Sequence, residues 1–255
     1  ALVNAILGDK ILPVGIVPVT AVVTKLEYGE KAAAVRFYNG IVKKIAFDEM
    51  SAYINEQKNT DNHLGVSEVR VFCPAPFLQK GLTFVDTPGV GSVHQKNSDA
   101  AYSYVKESDA VVFVLSVDSP LNQIEIDFLR SAGEFTSKFY FAVNKTDTVY
   151  ESDLEDYLTY CRDLLIKLTG MQDIRLFPVS AKSGAGIAEL KTAIEHDRMT
   201  ASKEILSSSA RLRLLDIIAS ARSQIIFYRT ALNMSQAEFD AKFRALKQCF
   251  AELRK

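Results

Sequence analysis

Short apolar runs alternate with longer helix-like segments from residue 82 to about residue 195, and this pattern restricts the fold more than any other feature. Alternation of this kind is typical of a sheet that carries helices on both faces. We therefore predict an α/β fold with a mostly parallel, doubly wound sheet. The predicted strands are 82–86, 110–117, 138–143 and 174–179, and the predicted helices are 98–107, 122–132, 152–169 and 186–195.

The amino-terminal part of the chain predicts further strands. Residues 19–28 are rich in β-branched side chains, a turn follows at 29–30, and residues 32–38 predict a second strand. Asn39-Gly40 then predicts another turn into a short extended piece. We expect these segments to form an antiparallel hairpin at one edge of the sheet.

Three other segments before residue 82 have recognisable patterns. Residues 1–7 predict a helix that Gly8 ends, because glycine readily adopts the left-handed conformation of a helix carboxyl terminus. Phe47–Gln57 predicts a second helix. Val66–Cys73 alternates in hydrophobicity like an edge strand, and Pro74 ends it.

Asn144, Lys145 and Asp147 directly follow the apolar run 139–143, so an amide, a lysine and a carboxylate lie at the end of a predicted strand. The Asp147 carboxylate can accept from both the ring N–H and the exocyclic amine of guanine, a pair of donors that adenine lacks. Lys145 is expected to lay its alkyl stem across the base, and Asn144 to tie neighbouring loops together. The triplet predicts a guanine-nucleotide site.

Asp86, Gly89 and Thr20 are the candidates for the phosphate end of that site. Asp86 ends a predicted strand and is expected to hold Mg²⁺ through a water. Gly89 is expected to donate its backbone N–H to a γ-phosphate. Thr20 lies where a Pro-rich loop meets the first strand, where its hydroxyl would ligate Mg²⁺ and orient water. Thr24 is the competing hydroxyl, but its position inside the strand is explained by β-propensity.

Ser180, Ala181 and Lys182 follow the strand 174–179, and their backbone is expected to contact the edge of the base. The glycine-rich, lysine-containing phosphate loop that normally accompanies such motifs occurs nowhere in the sequence. Residues 1–8 look like the helix that follows such a loop. We therefore expect the chain to start just downstream of its phosphate loop.

Strand patterns stop after about residue 197. The apolar residues between Ile205 and Leu232 fall on one helical stripe, a break is expected near Asn233-Met234, and Ser235–Glu238 predicts a capping box. The apolar residues that follow have bundle-like spacings of 4, 3, 4 and 3, namely Phe239, Phe243, Leu246, Phe250 and Leu253. We predict two domains, 1–197 and 198–255. The helices either join a bundle completed by other segments or a second copy, or pack back on the sheet.

Composition excludes several classes of protein. A formal net charge of -1, without a basic stripe, argues against nucleic acid as a partner. No apolar stretch reaches the ~18–20 residues that cross a bilayer. We therefore expect a cytoplasmic protein whose membrane contact is peripheral or lies in parts outside this segment.

The loop that ends at Thr20, the Asp86–Gly89 motif and the Asn144–Asp147 motif together resemble the GTPase domain of the dynamin superfamily. Within that superfamily the resemblance is to bacterial dynamin-like proteins and mitofusins. It covers residues 1–197, and residues 198–255 look like the start of that family's helical neck. The resemblance assigns Thr20, Asp86 and Gly89 to the two switches, and the Asn144–Asp147 motif to base recognition.

The resemblance implies an enzyme that hydrolyses GTP with Mg²⁺ and couples nucleotide state to movement of a helical stalk in membrane remodelling. It also implies GTP and GDP as ligands, and a homodimer through the GTPase face or a hetero-oligomer with a paralogue. Two other functions stay open at this point. One is a non-catalytic assembly scaffold with a GTPase-like domain, and the other is a small ribosome- or RNA-associated GTPase.

Overall fold

The computed structural model describes residues 1–14, 22–79, 81–90, 101–172 and 174–252, and the structural statements that follow refer to these residues. The chain forms two compact units, Ala1–Ser209 and Ala210–Lys255. A compact unit is not by itself a functional domain, so the predicted domains 1–197 and 198–255 stay predictions.

The amino-terminal part of the first unit contains a five-stranded mixed sheet. Strands β1 and β4 run parallel, and every other neighbouring pair is antiparallel. The spatial order is β3-β2-β4-β1-β5. The elements are α1 (Leu2–Leu7), β1 (Thr24–Tyr28), β2 (Ala32–Phe37), β3 (Val42–Ile45), α2 (Ser51–Ile54), β4 (Val66–Cys73) and β5 (Phe84–Asp86).

The remainder of the first unit forms a three-stranded parallel sheet with helical crossovers, in the order β6-β7-β8. Its elements are β6 (Val111–Ser116), α3 (Gln123–Gly133), β7 (Phe139–Asn144), α4 (Glu151–Thr169), β8 (Leu176–Pro178) and α5 (Ile187–Thr200). The strands and helices lie within a few residues of their predicted positions. The predicted α/β class with an antiparallel edge hairpin is confirmed.

Strand β7 contributes to both hydrophobic cores. Tyr140 and Ala142 belong to the core shared with α1 and the five-stranded sheet, whereas Phe141 and Val143 belong to the core shared with α3 and α4. Successive side chains of a strand point to opposite faces, so this strand is buried on both faces. That is the arrangement expected for the inner strand of a doubly wound sheet.

Two details of the predicted edge hairpin are wrong. The turn at Asn39-Gly40 does join β2 to β3 at the edge of the sheet, as expected. However, β1 is not the neighbour of β2, because β4 lies between them. Strand β4 is therefore an inner strand and not an edge strand. Its alternating pattern reports that its two faces differ in burial, and alternation carries no information about which strands lie on either side.

Asn4 fixes the segment that follows α1. The helix ends at Gly8, whose φ of 78° is left-handed and whose N–H bonds to the Asn4 carbonyl. The buried Asn4 side chain accepts from the backbone N–H groups of Ile11 and Leu12 at 3.2 and 2.8 Å, and donates to the Leu12 carbonyl at 2.8 Å. One amide side chain thus satisfies three backbone groups of the loop, which holds the loop against the helix.

The two long helices after α5 are α6 (Ser202–Leu232) and α7 (Gln236–Glu252). The predicted break is confirmed: the Ser235 backbone N–H donates to Glu238 at 2.9 Å, and the Glu238 backbone N–H donates to the Ser235 hydroxyl at 3.4 Å. Several large apolar side chains of α6 are more than half exposed, including Ile217, Ile225 and Phe227. No described helix is both long and apolar enough to cross a membrane.

Glu68 on β4 is a buried carboxylate with three cationic neighbours. It accepts from the Tyr104 hydroxyl at 2.8 Å and lies 3.1 Å from Lys25, 2.9 Å from Arg70 and 3.4 Å from Arg36. Burial raises the pKa of Glu68, but the hydrogen bonds from Tyr104, Lys25 and Arg70 outweigh burial and lower the pKa to about 2. The cluster therefore joins three strands of the sheet through one charge.

We expect Glu68→Gln to lower the free energy of unfolding by about 2–3 kcal/mol at pH 7. The folded-state pKa lies below the unfolded value of 4.5, so the contribution of Glu68 is complete above that value and is lost as the pH falls towards 2. The difference between Glu68→Gln and the wild type should shrink to about half at pH 3. Urea unfolding at both pH values measures it.

Asp127→Asn is the matched control, because Asp127 is an acid in an exposed ion pair with Arg130. It should change the stability by less than about 0.5 kcal/mol. A difference between Glu68→Gln and the wild type that is equally large at pH 7 and pH 3 would contradict the assigned role of Glu68.

Candidate functional site

The candidate site begins where β7 ends. Asn144 is the last residue of the strand, and its carbonyl accepts from the Val117 backbone N–H of the neighbouring loop at 3.2 Å. Lys145 then has a left-handed φ of 67°, and the turn Thr146–Thr148 follows. This sharp reversal places Asp147 beside the loop after β8.

The Asn144 side chain joins two loops. Its Oδ1 accepts from the Ala181 backbone N–H at 3.1 Å. A second link runs between the same two loops, from the Thr146 backbone N–H to the Val179 carbonyl at 3.3 Å. Asn144 and Ala181, two of the predicted site residues, are thereby brought into direct contact.

Asp147 has two neighbours from the loop after β8. Its Oδ1 accepts from the Ser180 hydroxyl at 2.6 Å, and its Oδ2 lies 3.9 Å from the ammonium of Lys182. The hydrogen bond from Ser180 holds the pKa of Asp147 below its usual value. The carboxylate is therefore ionised at neutral pH and keeps acceptor capacity for the donors of a ligand.

The loop that carries Ser180 is closed by its own backbone. The Ser180 N–H donates to the Ala185 carbonyl at 2.9 Å, and the Gly184 N–H donates to the Ser180 carbonyl at 2.8 Å. Gly186 follows with a left-handed φ of 70°, and a Cβ there would lie 1.9 Å from the Pro178 carbonyl oxygen. The close approach of Gly186 to the end of β8 leaves no room for a side chain.

Lys145 has an ion-pair partner that was not found from the sequence. Its ammonium lies 2.7 Å from the Asp118 carboxylate, and Asp118 also accepts from the Ser116 hydroxyl at 2.5 Å. Ser116, at the end of β6, pairs with Asn144 at the end of β7. The signal available in the sequence was the position of Asp118, two residues beyond a parallel strand at the ligand-binding edge.

The predicted phosphate-end residues lie apart from this group. Asp86 is the last residue of β5, paired with Thr24 of β1, which is fully buried inside its strand. Gly89 is exposed, and a Cβ built there has open space within 4 Å. Thr20 lies outside the described residues. No strand pairing among the described residues joins the sheet of Asp86 to the sheet of Asn144.

Comparison with known proteins identifies a family for this part of the chain. Residues 1–147 match the sequence profile of the Dynamin family. This segment includes Asp86, Gly89 and the Asn144–Asp147 motif. The matched part is more than half of the chain.

Similar proteins occur in bacteria and plants. An uncharacterized protein in the xynA 3' region of Caldicellulosiruptor is 39% identical over 71% of this chain and 45% of its own length. The probable transmembrane GTPase FZO-like of Arabidopsis thaliana is 32% identical over 75% of this chain and 18% of its own length. Dynamin-like protein A of Bacillus subtilis is 30% identical over 54% of this chain and 13% of its own length. The chain spans less than half the length of these relatives.

The fold is also similar to a solved structure of an oligomerised bacterial dynamin pair. The TM-score is 0.63 and the sequence identity 20%, over 99% of this chain and 44% of the other. At that identity the similarity concerns the fold alone.

Gly186→Ala and Gly184→Ala test the close approach at the end of β8. Both glycines have a positive φ, but a Cβ at Gly184 has open space whereas a Cβ at Gly186 overlaps the Pro178 carbonyl. We expect Gly184→Ala to cost about 1 kcal/mol, and Gly186→Ala to cost at least ~2 kcal/mol more. Urea midpoints at unchanged slope measure both costs. Equal losses would contradict the close approach.

Proposed function

We propose that this chain, which belongs to the Dynamin family, binds guanine nucleotides through Asn144, Lys145 and Asp147 and forms the GTP-hydrolysing part of a mechanochemical protein. The observation that carries the proposal is the Asp147 carboxylate. It is held by the Ser180 hydroxyl at 2.6 Å, next to the link between Asn144 and Ala181. Two loops are thus joined around one acceptor group.

Base selection would rest on Asp147. A carboxylate held at one oxygen still has acceptor sites for the ring N–H and the exocyclic amine of guanine. The stem of Lys145 would cover one face of the base. The backbone of Ser180, Ala181 and Lys182 would border its edge, with Lys182 largely exposed to solvent.

Hydrolysis would be phosphoryl transfer to water, in which the protein contributes position and charge stabilisation. We assign to Gly89 a backbone N–H contact with the γ-phosphate, and to Thr20 the orientation of water. The oxygen donors of Asp86 and Thr20 fit Mg²⁺, which would be held by Thr20 and, through a water, by Asp86, and would neutralise phosphate charge. Val90, after Gly89, has no amide to orient water.

We further propose that nucleotide state is coupled to the helices after residue 197 in membrane remodelling. The exposed apolar side chains of α6, such as Ile217 and Phe227, support an assembly role for these helices. The similar bacterial dynamin pair is described as oligomerised and as sensing and tethering membranes. We propose a homodimer through the GTPase face or a hetero-oligomer with a paralogue, associated peripherally with a membrane.

Asp147→Asn should convert nucleotide preference. An amide in place of the carboxylate offers a donor, so it should lose affinity for GTP and gain affinity for xanthosine triphosphate, whose ring carries a carbonyl in place of the exocyclic amine. We expect the preference for GTP over xanthosine triphosphate to fall by at least about 100-fold, in line with the loss of paired charge-assisted hydrogen bonds. Competition against fluorescent GDP on the full-length protein measures the ratio.

Asp156→Asn is the matched control, since Asp156 is an exposed acid on α4. It should leave the preference unchanged. If Asp147→Asn retained the wild-type preference, the assignment of Asp147 as the base reader would be wrong.

Thr20→Ala should separate hydrolysis from binding. Loss of the hydroxyl should lower kcat for GTP hydrolysis by about 10-fold or more while GDP affinity changes by less than about 3-fold, because Thr20 is assigned to the γ-phosphate end of the site. Steady-state hydrolysis and GDP binding on the full-length protein measure the two effects. Equal losses in both would contradict the proposed role of Thr20.

A further inference from the structure

We infer that Asp118 is a positioning residue for nucleotide binding, which orients the Lys145 side chain before the base arrives. This inference rests on the proposed function, because the ligand it concerns is the guanine nucleotide. Asp118 is not expected to touch the nucleotide. Its effect would pass entirely through Lys145.

The ion pair between Asp118 and Lys145 is too exposed to serve mainly in folding. The Lys145 and Asp118 side chains are 51% and 52% exposed, and their charged atoms are 2.7 Å apart. Exposed ion pairs contribute little to stability because water competes for both charges. A lysine side chain loses much rotamer freedom when it is held in one place, and a lysine that is already held loses less when a base binds against its stem.

Asp118 is itself held in place. The Ser116 hydroxyl donates to one of its oxygens at 2.5 Å, while Lys145 occupies the other. The Tyr157 hydroxyl of α4 donates to the Ser116 carbonyl at 2.8 Å and lies 3.3 Å from the Ser119 carbonyl. The loop that carries Asp118 is therefore fixed on both sides of the carboxylate. A fixed carboxylate can order a flexible lysine, whereas a mobile one cannot.

The two carboxylates near the end of β7 have different partners. Asp147 accepts from the neutral Ser180 hydroxyl and keeps its cation, Lys182, at 3.9 Å. Asp118 is in direct contact with the Lys145 ammonium, and this hydrogen bond holds the pKa of Asp118 below its usual value. The division leaves Asp147 available to the donors of the base, while Asp118 neutralises the lysine beside it.

A double-mutant cycle on the full-length protein tests the inference. Asp118→Ala and Lys145→Ala should each weaken GDP binding, by about 10-fold for Asp118→Ala, mainly through faster dissociation. The double variant should bind no more weakly than Lys145→Ala alone, because Asp118 acts only through the lysine. IDP, whose base lacks the exocyclic amine, should lose affinity in Asp118→Ala by the same factor as GDP.

Asp127→Ala is the matched control, since it removes a carboxylate from another exposed ion pair and should leave GDP affinity unchanged. Additive losses in the double variant, or unchanged GDP affinity in Asp118→Ala while the wild type binds GDP, would overturn the inference alone. Absence of GDP binding by the wild-type protein would overturn both the inference and the proposed function.

Discussion

The structure of the first unit depends on β7, a strand buried on both faces. Tyr140 and Ala142 belong to one core, and Phe141 and Val143 belong to the other. A shift of one residue along this strand would exchange the two sets of side chains, so its register is fixed by packing on both sides. The position of Asn144, and of the turn that follows it, is fixed at the same time.

The candidate site is formed by three loops that hold one another. Asn144 bonds to the backbone of Ala181, Asp147 bonds to Ser180, and Lys145 bonds to Asp118. Each contact joins the loop after β7 to a loop from a neighbouring strand. Binding groups on flexible loops are thereby held in one arrangement by a rigid sheet, which lowers the ordering cost that a ligand must meet.

Local signals in the sequence predicted much of this arrangement, whereas pairings between distant segments were not predictable. The left-handed end of α1 at Gly8 and the capping box at Ser235 follow from neighbouring residues, and the structure has both. The place of β4 between β1 and β2 depends on residues far apart in the chain. The contact between Asp118 and Lys145 spans 27 residues and becomes visible only once β6 and β7 are paired in register.

The edge strand β3 has a consequence for how copies of the protein meet. Among the described strands its only partner is β2, and Val42 and its two neighbours Lys43 and Lys44 are exposed. An open strand edge is a template for pairing with another chain. Two such edges in antiparallel contact would bring four lysines together with little to neutralise them. The sheet thus carries an electrostatic barrier against edge-to-edge aggregation.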